Sequence, residues 1–77
     1  MVNQLLTESL KEIENLKSGE VFLVRDLFKG YEWNRIPINV RLRLGFLFFN
    51  EITKPEHSDK IVPTEKTSSK QQKYKKL

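Results

Sequence analysis

Asn39, Arg43, Phe46 and Asn50 recur at i, i+4, i+7 and i+11 within the stretch WNRIPINVRLRLGFLFFNEI, Trp33 to Ile52. Wound at about 100° per residue, they fall in one narrow stripe of a helix. Asn and Arg carry the paired donors and acceptors that match adenine and guanine edges. An aromatic ring among them offers a face on which a base can stack. The same side chains also solvate the outward stripe of any central helix. Taken alone, the stripe leaves recognition and solvation equally open.

A second set of residues has its chemistry in charge. Residues 1–53 hold seven Lys/Arg and seven Asp/Glu, which cancel. Residues 54–77 hold seven lysines against Glu56, Asp59 and Glu65, so the whole net charge of +4 lies in the last third. Lys66, Lys70, Lys73, Lys75 and Lys76 crowd its end. A basic segment on a neutral body points to a polyanionic partner, although a solvated lysine tail has the same composition.

Other chemistry finds little footing. The sequence pairs no carboxylates, places no nucleophile beside a base and carries no glycine-rich phosphate loop, so no enzyme and no catalytic residue are expected. There are no cysteines and one histidine, His57, which is read as a surface residue, so no metal and no cofactor are expected. No apolar run approaches the ~20 residues of a membrane span. The start, MVNQLLTESLKEIENLK, does not read as a secretory leader, and a cytoplasmic location is expected.

These residues need elements to position them. Val2, Leu5, Leu6, Leu10, Ile13 and Leu16 keep helical spacing, with Glu8, Lys11, Glu12, Glu14 and Lys17 opposite, and Gly19 follows as a stop. GEVFLV predicts a strand at Glu20–Leu23. Arg25 to Lys29 predicts a short helix with Leu27 and Phe28 inward, ended by Gly30. Pro37 suits the first turn of the next helix, which runs to Ile52. On that helix Val40, Leu44, Leu47, Phe48 and Ile52 form the buried face, widened by Leu42 and Phe49. Trp33 is read as a core plug. Thr53-Lys54-Pro55 ends the helix, EHSD is a loop, and KIVPTEK and KQQKYKKL form a twisted hairpin about the turn TSS. Pro63 marks the first of these strands as an edge or a bulge. Ile61, Val62 and Tyr74 anchor the hairpin to the body.

The order helix, strand, helix, helix, basic hairpin is that of a small α+β domain of winged helix-turn-helix type. One such domain is expected over residues 1–77, with a helix over 2–18, a strand and helix-turn-helix over 20–52, and the basic hairpin, or wing, over 58–77. The third helix is then the one carrying Asn39, Arg43, Phe46 and Asn50, and the wing carries the lysine excess. Two weak signals meet in one geometry: wing lysines contact phosphates while the helix stripe faces the bases. Phe22, Leu27, Trp33, Leu44, Leu47 and Phe48 are expected in the core.

The string VFLVRDLFKGYEWNRIPINVRLRLGFLFFNEI, followed by TSSKQQKYKKL, resembles a family of small uncharacterised proteins from low-GC Gram-positive bacteria, their phages and mobile elements. The pattern is carried by Phe22, Asp26, Leu27, Phe28, Trp33, Arg41, Leu44, Gly45, Phe48, Thr67, Ser68, Gln71 or Gln72, and Tyr74, over roughly residues 19–77. Members of that family are often labelled single-stranded DNA-binding or simply unknown, so the resemblance implies a nucleic-acid role. In the family pattern the residue after Gly45 is usually basic; here it is Phe46. That departure points to stacking or a hydrophobic partner at position 46 rather than to a charged base contact.

The expectation is a non-enzymatic nucleic-acid-binding protein, its partner DNA, single- or double-stranded. The alternative is a phage or mobile-element interaction module that binds a host or virion protein, or a second copy of itself, through Phe46, Leu42 and Phe49. An exposed aromatic on a helix is a common interface anchor. Binding carried by lysines weakens steeply with salt, and a hydrophobic interface does not.

Overall fold

The structure is a computed structural model that describes residues 1–57 and 59–77. Apolar residues at three- and four-residue spacing, Val2, Leu5, Leu6 and Leu10, wind the N-terminal segment into α1, Val2–Glu12. A tighter 3₁₀ turn, Ile13–Asn15, follows and carries Ile13 into the core. The α-helical part therefore ends short of the expected residue 18. Gly19 adopts φ +91°, a conformation that side-chained residues rarely take. This turn brings the Gly19 amide to the Lys76 carbonyl at 2.6 Å and starts β1, Val21–Phe22, the middle of the predicted strand.

The next stretch departs from expectation. The Leu23 amide donates to the Asp26 carboxylate, and the Asp26 amide donates back to the Leu23 carbonyl, both at 2.9 Å. This exchange closes a 3₁₀ turn at Val24–Leu27, where a helix over 25–29 was expected. Phe28 and Lys29 are extended, the Lys29 amide donates to the Glu32 carboxylate at 3.2 Å, and α2 spans Gly30–Arg35. Gly30 thus begins a helix rather than ending one. Pro37 lies just outside the following helix, and its carbonyl accepts from the Val40 and Arg41 amides at 3.0 Å each. From there α3 runs Ile38–Ile52, and the Thr53 hydroxyl donates to the Phe49 carbonyl at its end.

The expected loop over 56–59 contains Ser58, which lies outside the described residues. Beyond it, β2, Ile61–Lys66, and β3, Gln72–Lys76, form an antiparallel hairpin. β3 also pairs with β1, so the sheet order is β1-β3-β2 and β2 is an edge. Its register breaks between Pro63 and Lys66, next to the proline that has no amide to give the ladder. The result is a small α+β fold with, among the described residues, three α-helices and one three-stranded antiparallel sheet. No helix among the described residues is long and apolar enough to cross a membrane.

The core joins the two 3₁₀ turns, α3 and the sheet through Ile13, Phe22, Leu27, Phe48, Ile52, Ile61 and Tyr74, with Leu6 and Leu10 of α1 packed against it. Three rings fix α3 on β1 and β3. Phe22 stacks on Tyr74 with centroids 5.7 Å apart, and Phe48 meets Tyr74 edge-on at 5.0 Å and Phe22 at 6.4 Å. Such pairs add about 0.5–1.5 kcal/mol each beyond the area they bury. Leu44 is wholly buried beside them. Of the expected core, Trp33 and Leu47 are only half-buried. Trp33 belongs to α2, where it packs on Phe28 at 5.8 Å toward the surface. The Leu44–Phe48–Ile52 line meets the sheet, and Leu47 falls on its flank. Leu42 and Phe49 do not widen the buried face; they are 73% and 39% exposed.

Candidate nucleic-acid interface

The exposed side of α3 forms one wall of an open groove of about 560 Å³, and the hairpin forms the other. Leu42, Gly45, Phe46 and Phe49 supply the α3 wall at i, i+3, i+4 and i+7, a spacing that puts them on one helix face. Trp33 and Tyr74 add two further aromatic residues. Arg25, Arg41, Lys66 and Lys70 bring positive charge to the rim. No Asp or Glu lines the groove among the described residues, although the chain has ten. A cationic, aromatic, carboxylate-free groove favours an anion that also presents flat apolar surface.

The groove is held by its own local bonds. The Arg41 guanidinium lies over the Trp33 ring, 5.4 Å from its centroid, and donates from Nη2 to the Asn34 carbonyl at 3.3 Å. Its Nε is shielded from solvent and has no hydrogen-bond partner among the described residues. At the hairpin tip, the Thr67 amide donates to the Gln71 carbonyl at 2.8 Å, and the Lys70 and Gln71 amides donate to the Thr67 carbonyl and hydroxyl at 2.9 and 3.1 Å. Lys70 takes φ 67° in this turn. The Gln72 side chain donates to the carbonyls of Thr64 and Lys73 at 2.9 and 3.0 Å, bracing the irregular part of the ladder. Lys66 and Lys70 therefore project from a tied turn. Burial pushes the Tyr74 phenol up to about 12, so it stays neutral at the groove's inner edge.

The structure divides the residues expected to bind. Phe46 is 67% exposed and lines the groove; Asn39, Arg43 and Asn50 are exposed on the stripe beside it but do not line it. Among the lysines, Lys66 and Lys70 reach the groove. Strand alternation along β3 sends Lys73 and Lys75 to the sheet face opposite Tyr74. There the Lys73 ammonium lies 3.7 Å from a Glu65 carboxylate oxygen. Lys76 has a structural bond instead: its Nζ donates to the Ile13 carbonyl at 3.0 Å and ties β3 to the end of the N-terminal helix. His57 lies 3.5 Å from Glu51, whose carboxyl is held below its usual range mainly by its hydrogen bond with Lys54. No group of acidic, histidine or cysteine side chains that could hold a metal occurs among the described residues.

Arg25, Trp33 and Arg41 were not expected in a site. Their signal was the excess of apolar positions on α3: Leu42 and Phe49, expected to widen the buried face and, in the alternative reading, to bind a partner, stand exposed as a second apolar face.

A family model described as a domain of unknown function, DUF1413, matches residues 7–76. No curated protein and no solved structure matches the chain.

Proposed function

The chain belongs to the DUF1413 family, and we propose that it is a non-enzymatic, winged-helix nucleic-acid-binding protein whose groove takes unpaired bases, with DNA as its partner. The order of the elements and the sheet order β1-β3-β2 support the winged helix-turn-helix reading, with α3 as third helix and the β2–β3 hairpin as wing. One observation carries the binding reading: four cations and exposed aromatic rings share a groove that no carboxylate lines among the described residues. Cations that follow a phosphate chain beside rings that stack on bases are the equipment of single-strand binders. Leu42, Phe46 and Phe49 have no hydrogen bonds to offer a base-pair edge, which favours unpaired bases over a duplex groove. Asn39, Arg43 and Asn50 are exposed on α3 outside the groove lining, and in this reading they contact the same strand. A cytoplasmic location and a mobile-element setting belong to the same proposal.

Titration of a labelled single strand and its duplex at two salt concentrations tests this. The single strand should bind more tightly, and both should weaken as salt rises. Phe46→Ala should weaken single-strand binding by about 1–3 kcal/mol, the worth of one stacked base. It should leave the melting temperature unchanged, since the ring is 67% exposed. A second reading has its own support: Ile38, 71% exposed, extends the apolar stripe of α3 outside the groove. If Phe46→Ala leaves DNA affinity intact and instead breaks a salt-insensitive complex on a sizing column, the chain is a protein-interaction module or a homodimer.

A further inference from the structure

The fold gives no reason for a glycine at position 45. Gly45 sits inside α3 with no positive φ, where glycine is less stable than alanine. Packing does not demand it either, because a Cβ built there meets nothing within 4 Å. Gly45 nevertheless lies in the groove wall, with Leu42 one turn before it, Phe49 one turn after it and Phe46 adjacent. Its missing side chain leaves a notch where the helix backbone itself is the wall. Helix-interior amides are committed to the helix, so the notch has contact surface to offer but no donor for a phosphate. The phosphates must go to Lys66, Lys70 and the arginines, and the notch is left for something flat.

We propose that Gly45 is the seat of one unpaired nucleobase, which lies face-on against the α3 backbone between Leu42 and Phe49. This rests on the nucleic-acid reading above and assigns the residue that decides how closely a base approaches. Glycine at such a place trades helix stability for close approach, as glycines do wherever a ligand must meet backbone.

The test is a pair of substitutions, Gly45→Ala and Gly45→Leu, with two readouts that a structural glycine would move together. Gly45→Ala should raise the melting temperature by about 4–8 °C, the gain for a helix-interior glycine replaced in a domain this size. The same change should weaken binding of a labelled oligothymidylate by about 5- to 150-fold, the worth of one stacked base. Gly45→Leu should weaken it further. The salt slope should stay that of the wild type, and an abasic strand of equal length should bind wild type and Gly45→Ala alike. If Gly45→Ala is more stable but binds oligothymidylate as the wild type does, the seat is refuted while the DNA reading stands. A loss of stability would make the glycine structural and overturn the proposal. A flattened salt slope would place a phosphate at the notch and overturn the base assignment. A wild type that binds neither single strand nor duplex overturns both readings.

Discussion

Replacing Lys66 and Lys70 together by alanine tests whether the charges of the groove hold the phosphates of the proposed strand. Four cations line the groove, Arg25, Arg41, Lys66 and Lys70. Each phosphate contact on a single strand contributes about −0.7 to the slope of log K against log salt, so four contacts give about −2.8 and a roughly 50-fold loss of affinity between 50 and 200 mM salt. Arg41 already stacks on Trp33 and donates to Asn34. If it keeps those partners, three contacts remain, with a slope of about −2.1 and a loss of roughly 20-fold. The double variant should reduce either slope by about 1.4. Both side chains are exposed, so the melting temperature should not move. Lys73→Ala with Lys75→Ala is the matched control, with equal charge removed from the opposite sheet face. Fluorescence anisotropy of a labelled oligonucleotide at several salt concentrations reads all three proteins. A control pair that flattens the slope, beside a Lys66/Lys70 pair that does not, would put the polyanion on the other face of the sheet and remove the groove from the argument.

Leu44 is fully buried, and Leu44→Ala should cost about 2–5 kcal/mol, visible as a large fall in melting temperature or loss of the cooperative transition. Lys76→Ala should destabilise the fold by about 1 kcal/mol through the lost bond to the Ile13 carbonyl, with DNA affinity per folded molecule unchanged, as denaturant melts and titrations on one preparation would show. Tyr74 ionises near 12 in the fold against about 10 in an unfolded chain, so folded stability should be whole below pH ~10 and decline as pH rises through that interval. Melting curves of wild type and Tyr74→Phe should diverge only there, with the phenylalanine variant declining less.

Much of this chain could be read without coordinates, and the misses have local causes. Gly19 and Pro37 mark boundaries, but not where they were expected: the α-helix stops at Glu12, ahead of the positive φ at Gly19, and Pro37 is an extended lead into α3 rather than part of its first turn. Gly30 is ambiguous, because a glycine flanks helices at either end. The deciding residues were Asp26 and Glu32, each three positions after an amide that its carboxylate accepts from. That spacing is visible in the sequence and places turns at both points. The wing lysines follow the same logic. Once Tyr74 is set inward, alternation alone puts Lys73 and Lys75 on the far face.

The groove could not be read that way, because a helical wheel shows which faces of α3 are apolar but not which one the hairpin covers. That choice is made in the core. Phe22 and Phe48 hold Tyr74, and Tyr74 fixes β3 against the Leu44–Phe48–Ile52 face. The hairpin then extends past α3 with Lys66 and Lys70 beside the face left over. A small domain is marginally stable and can ill spare large side chains from burial. Leu42 and Phe46 stand 73% and 67% exposed here, where they add little to the core and raise the risk of association. Selection for stability alone would put polar residues at both positions and an alanine at Gly45. All three depart from that expectation in the wall that faces the cations, and the proposed strand, with its bases against α3, would account for them together.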